Sequence, residues 1–287
     1  MQSIHRLDHL RSSIDAWRAK GQSIAFVPTM GALHQGHMTL VRAAREKADR
    51  VVVSIFVNPT QFGPNEDLEA YPRTLEADSD LLEGERVDAL WAPNAEEMYP
   101  DGFATSISVE GVSADFCGAS RPGHFAGVAT VVCKLFNQVR PDVALFGEKD
   151  WQQLAVIRRM ARDLDLSLPH ADAILGVPTV READDLALSS RNRYLDETAR
   201  AQAAALPAAM RQAIARIEAG APVGAALRDL EHKLIEGGFT KVDYAALADA
   251  ASLERIDLLG NRPARLLIAA HIQGTRLIDN MAVGAGG

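Results

Sequence analysis

Short runs of apolar residues alternate with helix-like segments in the first part of the chain. The clearest run is 51–57, in which every residue except Ser54 is apolar. Similar runs predict further strands, and the spacing of apolar positions between them predicts helices. The predicted strands are 23–28, 51–57, 88–92, 106–109, 143–146 and 171–176, and the predicted helices are 37–49, 73–84, 125–139 and 150–164. Continuous apolar strands separated by helices indicate an α/β domain with a parallel sheet covered on both faces.

The pattern changes after about residue 180. Alanine-rich segments at 196–219 and 222–236 predict helices, and runs at 241–248, 264–272 and 275–281 predict strands. Gln273-Gly274 lies between the last two runs and predicts a tight turn. We therefore expect two domains, with the parallel sheet in 1–179 and a smaller α+β domain with an antiparallel sheet in 180–287.

The N-terminal segment is predicted to be a helix and not a signal peptide. Leu7, Leu10, Ile14 and Trp17 have the spacing of an amphipathic helix, without the basic start and apolar block of a signal peptide. No segment is long and apolar enough to span a bilayer, so we expect a cytoplasmic protein with no membrane partner. The glycine-rich end, 284–287, predicts a frayed tail, because no helix follows it as in a dinucleotide fingerprint.

Composition excludes several classes of function. The formal net charge of −8 over 287 residues argues against a nucleic-acid surface. The two cysteines, Cys117 and Cys133, stand outside any paired Cys–His spacing. This argues against a disulfide framework or a zinc ribbon and favours a reducing compartment.

A loop with two histidines follows the strand at 23–28. His34 and His37 flank Gly36 where the next helix is expected to begin. A helix start presents unpaired N–H groups and the positive end of the helix dipole, which attract phosphate. Gly36 lets a base or ribose approach the backbone. We therefore predict a nucleotide site, with two surface histidines or half of a metal site as alternatives.

Three more segments carry polar side chains to the same predicted region. Gln61, after the strand at 51–57, offers a donor and an acceptor to a small polar substrate, although Asn58-Pro59 also favours an ordinary turn. Lys149, after the strand at 143–146, is a mobile positive charge for phosphates or a solvated lysine. The 189–191 segment, Ser-Ser-Arg, suits phosphate oxygens or caps a helix.

Two further residues are weaker candidates. Arg121 precedes the helix at 125–139 and offers a cation to an anionic substrate or to phosphate. Asp78 lies in an acidic stretch that binds magnesium or is merely solvated.

Together these segments resemble the pantoate–β-alanine ligase family, within the HIGH-type nucleotidyltransferase superfamily. The matching stretches are PTMGALHQGH (28–37), VNPTQF (57–62), YPRT (71–74), RPGHFAGV (121–128), FGEKD (146–150) and LSSRN (188–192). Their order and spacing cover nearly the whole chain, whereas a single HxGH would indicate only the superfamily. Two positions depart from the usual pattern: Met38 replaces a leucine, and Asp185 replaces a glycine before LSSRN.

The resemblance implies a Rossmann-like nucleotide domain, a smaller C-terminal lid domain and a homodimer. It implies an enzyme that joins pantoate to β-alanine with ATP and Mg²⁺, through a pantoyl adenylate, releasing AMP and pyrophosphate. His34, His37 and Lys149 would be catalytic, with His37 as the family's proton donor. Asn58, Gln61, Arg121 and Gln153 would bind substrate, and Asp78 a metal. The residues that would bind ATP are Met30, Gly31, Ala32, Leu33, His34, Gln35, Gly36, His37, Gly147, Glu148, Lys149, Asp150, Val180, Leu188, Ser189, Ser190 and Arg191.

Two other functions compete with this one. Another HIGH-type nucleotidyltransferase would leave the nucleotide attached to its acceptor, and an ATP-sensing module would bind ATP without releasing pyrophosphate. A tRNA-charging role is disfavoured by the acidic charge balance and by the lack of an anticodon-reading extension.

Overall fold

The computed structural model describes residues 1–64 and 66–284, which fall into two compact units. The first unit comprises Met1–Glu110, Arg121–Glu148 and Gln153–Pro178. The second comprises Gly111–Ser120, Lys149–Gln152 and the chain from Thr179 onward. The predicted frayed tail lies outside the described residues, apart from Gly284. The predicted domain boundary at 179/180 stays a prediction.

The first unit is built on a six-stranded parallel sheet, which confirms the predicted α/β class. Its strands are β1 (Gln2–Ile4), β2 (Ile24–Thr29), β3 (Arg50–Ile55), β4 (Ala89–Trp91), β5 (Val143–Gly147) and β6 (Ile174–Val177), in the order β1-β4-β3-β2-β5-β6. The helices up to residue 163 are α1 (Leu7–Arg18), α2 (Gln35–Arg45), α3 (Leu75–Gly84), α4 (Ala95–Met98), α5 (Cys117–Ser120), α6 (His124–Val139) and α7 (Trp151–Asp163). Of these, α5 and the first two residues of α7 belong to the second unit.

Apolar side chains from both faces of the sheet explain why its strands read as continuous hydrophobic runs. On one face, Val27 and Val53 join Met38 and Val41 of α2 in a buried cluster. On the other, Phe26 of β2 meets Phe136 of α6 edge-on, with ring centroids 6.4 Å apart. Each strand therefore buries successive residues on opposite sides.

One sequence expectation for the first unit fails, and one strand is missed. The predicted strand at 106–109 is irregular: its residues alternate in burial, but the N–H of Ile107 donates to the Thr130 hydroxyl at 2.9 Å instead of to a strand. The short strand β1 was not predicted, because three residues carry too little periodicity to be recognised.

The second unit contains a three-stranded antiparallel sheet, as predicted. Its strands, β7 (Lys241–Asp249), β8 (Ala264–Ile272) and β9 (Thr275–Val283), follow the helices α8 (Glu197–Ala203), α9 (Ala205–Glu218) and α10 (Val223–Glu236). The helix predicted at 196–219 is thus two helices that meet at Ala204. Gln273 and Gly274 form the predicted turn, with φ of 48° and 75°, the left-handed pair that a tight hairpin requires.

Among the described residues, none of the helices combines the length and the apolarity that a membrane crossing requires.

Candidate active site

Two predicted site segments leave neighbouring strands at the same edge of the parallel sheet. Thr29, at the end of β2, is paired with Ile55, at the end of β3. The histidine loop follows the first strand and the Asn58–Gln61 segment follows the second. Ligands of open α/β sheets bind at this carboxyl edge, so the first unit places both segments where a ligand is expected.

The loop between β2 and α2 is held by the buried carboxylate of Asp78. Its oxygens accept hydrogen bonds from the N–H groups of Ala32 at 2.9 Å and Leu33 at 2.8 Å, and from the Thr74 hydroxyl at 3.2 Å. Gly31 and Ala32 are both left-handed, with φ of 83° and 51°. Asp78 therefore stabilises a turn that an alanine rarely adopts.

These bonds favour a positioning role for Asp78 over the predicted metal role. Its side chain is buried, with 2% of the residue exposed, and both of its oxygens accept hydrogen bonds. Residues 1–64 and 66–284 contain no group of three histidine, cysteine or acidic side chains arranged for a metal ion. Magnesium binding by Asp78 stays a prediction.

The two histidines at the start of α2 form a reciprocal capping box. His34 Nδ1 accepts from the N–H of Gly36 at 3.1 Å, and His37 Nδ1 accepts from the N–H of His34 at 3.2 Å. A ring nitrogen that accepts from a backbone N–H carries no hydrogen, so each neutral imidazole has its hydrogen on Nε2. The ring centroids are 4.1 Å apart. The start of α2 therefore carries two neighbouring imidazole Nε2–H donors, and hydrogen-bond donors at a helix start suit phosphate.

The Asn58–Gln61 segment packs tightly against α6. Pro59–Gln61 form a 3₁₀ turn, and a side chain at Gly127 would come within 2.4 Å of the Thr60 carbonyl oxygen. Only glycine permits this approach. The Gln61 amide nitrogen in turn lies 3.1 Å from the Met30 sulfur, which joins this segment to the histidine loop.

Arg121 is paired with a carboxylate that the sequence analysis did not single out. Its guanidinium donates to Glu66 from Nε at 2.7 Å and from Nη2 at 2.5 Å. Burial, the largest single influence, raises the pKa of Glu66, but the bonds and charge of Arg121 outweigh it and lower the pKa to about 2. The positive charge that we predicted for an anionic substrate is therefore largely neutralised within the protein.

Two other predicted residues of the first unit lie beside the carboxyl end of β5. The Glu148 side chain rests on Gly176 of β6, where a Cβ would come within 2.9 Å of its Cγ. Gln153 is half-buried on α7.

A cavity of about 410 Å³ opens beside the histidine loop. Met30 and Gly31 form part of its wall, with Phe56, Leu75 and Arg73 around it. This volume lies within the range of small-molecule sites.

In the second unit, three cations line one small pocket. Lys149 and Arg191, both predicted, share it with Ser189 and with Arg276. Arg276 cannot be recognised from the sequence, because it stands in no motif. Only the folding of the antiparallel sheet brings strand β9, which carries it, to the pocket. Three cations and a hydroxyl around one pocket suit an anionic ligand.

Two residues of this pocket, Arg276 and Lys149, have polar partners in the same unit. Arg276 Nε donates to Asp243 at 2.8 Å, and the Asn280 side chain donates to the Lys149 carbonyl at 2.9 Å. Burial by itself raises the pKa of Asp243, but hydrogen bonds from Lys241 and Arg276 outweigh it and hold that pKa well below its usual range. Asp243 therefore stays ionised beside the arginine.

The segment from Val180 to Arg191 is a tight hairpin followed by a capped turn. The N–H of Leu188 donates to Val180 at 2.9 Å, and Arg181 makes two bonds to the fully buried carboxylate of Asp279, at 2.7 and 2.9 Å. Asp185 has a φ of 69°, the conformation that glycine adopts most easily. Ser189 caps the next turn by accepting from the N–H of Arg191 at 3.3 Å, so the capping alternative also holds.

The parallel sheet and the histidine-bearing helix start define an α/β protein of the Rossmann-like class. Comparison with known proteins narrows this class. The sequence model described as pantoate-beta-alanine ligase matches residues 2–282. The chain therefore belongs to the pantoate–β-alanine ligase family, which confirms the resemblance found from its motifs.

Individual relatives are similar to this chain over nearly their full lengths. The pantothenate synthetase of Novosphingobium aromaticivorans is 66% identical over 284 residues, 99% of each chain, and that of Sphingopyxis alaskensis is 58% identical. A crystal structure of the pantothenate synthetase from Thermus thermophilus has a TM-score of 0.90 at 46% identity, covering 98% of this chain and 99% of that one. The ligase of Francisella tularensis, in complex with beta-gamma ATP and beta-alanine, has a TM-score of 0.82 at 35% identity, covering 98% and 97%.

The contact between Gly127 and the Pro59–Gln61 turn yields a first prediction. Gly127→Ala should displace the turn, because the added Cβ would lie 2.4 Å from the Thr60 carbonyl oxygen. We expect the free energy of unfolding to fall by about 1–3 kcal/mol. Urea titrations measure it, with Gly84→Ala as the control, since a Cβ there meets nothing within 4 Å. Equal stability of both variants would contradict the tight packing.

The pair between Glu66 and Arg121 predicts how stability depends on pH. The pKa of Glu66 falls from 4.5 to about 2 on folding, so its stabilising contribution is complete above pH 4.5 and is lost as the pH falls towards 2. The stability advantage of the wild type over Glu66→Gln should therefore shrink across this range. Urea titrations at several pH values measure it, and an advantage that is constant down to pH 2 would contradict the assignment.

Proposed function

We propose that the chain condenses pantoate with β-alanine to form pantothenate, using ATP and releasing AMP and pyrophosphate. The observation that supports this most strongly is the match to the ligase family model over residues 2–282, in a chain whose His34 and His37 form the capping box at the start of α2. The beta-gamma ATP and beta-alanine named for the Francisella tularensis structure support the same substrates here.

The first step of the proposed reaction is attack by the pantoate carboxylate on the α-phosphorus of ATP. The oxygen–phosphorus bond to pyrophosphate breaks, and pantoyl adenylate forms. The carboxylate is ionised at neutral pH, so this step needs no general base. The protein must instead hold two anions together and stabilise the charge of the transition state.

We propose that the donors and cations described above do this work. The Nε2–H groups of His34 and His37 would bind phosphate oxygens, together with Lys149, the 189–190 serines and Arg191. The inferred tautomer supports His37 as a neutral hydrogen-bond donor. The remaining proposed ATP contacts are those implied by the family: Met30–Leu33, Gln35, Gly36, Gly147, Glu148, Asp150, Val180 and Leu188.

In the second step, the amine of β-alanine attacks the acyl carbon and AMP leaves. We propose that Gln61 and Gln153 recognise pantoate, with Asn58 and Arg121 near the same substrates. An acyl adenylate hydrolyses readily, so water must be excluded. Residues 180–287 are proposed as the lid, with 180–192 as its hinge.

Magnesium belongs to the proposal only as a companion of ATP. Among the described residues, no side-chain cluster fits a protein-built metal site, and the Asp78 oxygens accept hydrogen bonds from the backbone. Mg²⁺ commonly binds through substrate phosphates and keeps several waters. We therefore propose Mg²⁺–ATP as the substrate and assign no step to a resident metal.

We also propose that the enzyme is a cytoplasmic homodimer. The exposed segment around Ser106–Ser108 belongs to neither sheet. The N–H of Ile107 donates to Thr130, and burial alternates along 106–109 as it does along an extended chain, in which successive N–H groups point in opposite directions. We infer that the N–H groups of the exposed Ser106 and Ser108 point outward and pair with a second copy.

The adenylate mechanism predicts pyrophosphate exchange into ATP with pantoate and without β-alanine. Lys149→Ala should slow this exchange by about 10²–10³-fold, because one charge-stabilising contact to the transition state is lost. Exchange of labelled pyrophosphate measures it. Lys47→Ala, which removes an exposed lysine after α2, is the matched control.

Different outcomes separate the alternatives. Exchange that requires β-alanine would imply a concerted reaction instead of an adenylate. A nucleotide conjugate in place of free AMP would indicate another nucleotidyltransferase, and ATP binding without pyrophosphate release would indicate a sensor.

The dimer proposal predicts that Ser108→Pro converts a dimer into a monomer. Proline removes the outward N–H but tolerates an extended backbone, whereas Ser108→Ala keeps the N–H and is the control. Light scattering after size-exclusion chromatography should give twice the 31.0 kDa chain mass for the wild type. A monomeric wild type would contradict the dimer, and a dimeric Ser108→Pro would contradict this pairing.

A further inference from the structure

The amide of Asn58 lies at the centre of a buried polar network. Its Nδ2 donates to Gln61 Oε1 at 3.1 Å and to the Gly127 carbonyl at 3.2 Å. Its Oδ1 accepts from the hydroxyls of Tyr99 at 2.7 Å and Thr60 at 2.9 Å, and from the Thr60 N–H at 3.4 Å. The residue is only 1% exposed. Both amide hydrogens and both oxygen lone pairs are engaged, so Asn58 has no capacity left for a substrate.

The partners of Asn58 determine which way its amide points. The Gly127 carbonyl can only accept a hydrogen bond, and the Thr60 backbone N–H can only donate one. The amide nitrogen must therefore face Gly127, and the oxygen must face Thr60. Rotation of the amide by 180° would place its oxygen against the Gly127 carbonyl oxygen and its NH₂ group against the Thr60 N–H.

The orientation of Asn58 in turn determines that of Gln61. Asn58 offers a donor, so Gln61 must present its oxygen to it, and the Gln61 NH₂ group faces the other way. There it lies 3.1 Å from the Met30 sulfur. A thioether is a weak acceptor, so this NH₂ group gains a stronger bond from a substrate oxygen.

Tyr99 holds Asn58 from a distant part of the chain. Its hydroxyl makes the shortest bond in the network, across 41 positions of sequence. Its ring is fixed between Phe56 and Phe103, with centroids 6.0 and 5.0 Å away. Burial raises the pKa of Tyr99, so the hydroxyl stays a neutral donor at physiological pH.

We propose that Tyr99 and Asn58 are positioning residues that lock the Gln61 amide with its NH₂ group toward the acid substrate. This inference rests on the proposed function, in which Gln61 binds pantoate. The Gln61 NH₂ group then favours an acid that places a hydrogen-bond acceptor, such as a hydroxyl or carboxylate oxygen, beside it. An acid without such an oxygen at this point would be rejected. Asn58 acts through Gln61 and not as the direct substrate ligand that the family resemblance implied.

Tyr99→Phe removes the hydroxyl but keeps the packed ring. We expect the KM for pantoate to rise about fivefold, the effect of one lost hydrogen bond, while kcat and the KM for ATP stay unchanged. Thr60→Val removes another donor to the same oxygen and should act in the same direction. Thermal unfolding establishes that each variant is folded.

A double-mutant cycle with Gln61→Ala separates positioning from a general structural effect. If Tyr99 acts through Gln61, Tyr99→Phe should not raise the pantoate KM further in the Gln61→Ala background. An equal rise in both backgrounds, or no rise in the wild type, would overturn the proposal.

The charge variant Gln61→Glu tests the orientation itself. Its carboxylate can still accept from Asn58 but places a negative oxygen where the NH₂ group lies. The pantoate KM should therefore rise well beyond that of Gln61→Met, which is neutral. An equal KM for these two variants would overturn the orientation, whereas a wild type without pantoate-dependent AMP release would overturn the proposed function instead.

Discussion

One buried carboxylate, that of Asp78, holds the turn that leads into the histidine-bearing start of α2. Hydrogen bonds to a charged acceptor contribute about 1.5–3 kcal/mol each, more than the ~1–2 kcal/mol cost of a left-handed alanine. The bonds to Ala32 and Leu33 therefore stabilise a turn that would otherwise relax. The start of α2 follows directly, so the placement of both histidines depends on this turn.

The two histidines stabilise the helix start on which they stand. Each Nδ1 is occupied by a backbone N–H, which satisfies donors that a helix start otherwise leaves unpaired. The same bonds select the tautomer whose Nε2–H points away from the backbone. Local helix capping therefore uses one side of each ring, and the phosphate contacts that we propose would use the other.

A similar arrangement recurs in each unit: a neighbour of complementary polarity holds several polar side chains of the candidate site in place. Asn58 fixes Gln61, Glu66 fixes Arg121, and Asp243 fixes Arg276. A preorganised site loses less side-chain entropy when it binds a ligand. The cost appears as sequence constraints at places such as Gly127, where the turn and helix α6 leave no room for a side chain.

The sequence by itself determined the alternation of strands and helices, both sheets and the family, because periodic burial and short motifs are local properties. The sequence prediction of a strand at 106–109 was wrong. Apolar and polar residues do alternate there, but the Ile107 N–H donates to the Thr130 hydroxyl and not to a neighbouring strand. Only the tertiary structure decided the contact of Asp78 with the histidine loop, the approach of Arg276 to Lys149, and the hold of Tyr99 on Asn58. These contacts join residues tens of positions apart, and no local pattern records them because folding alone brings such groups together.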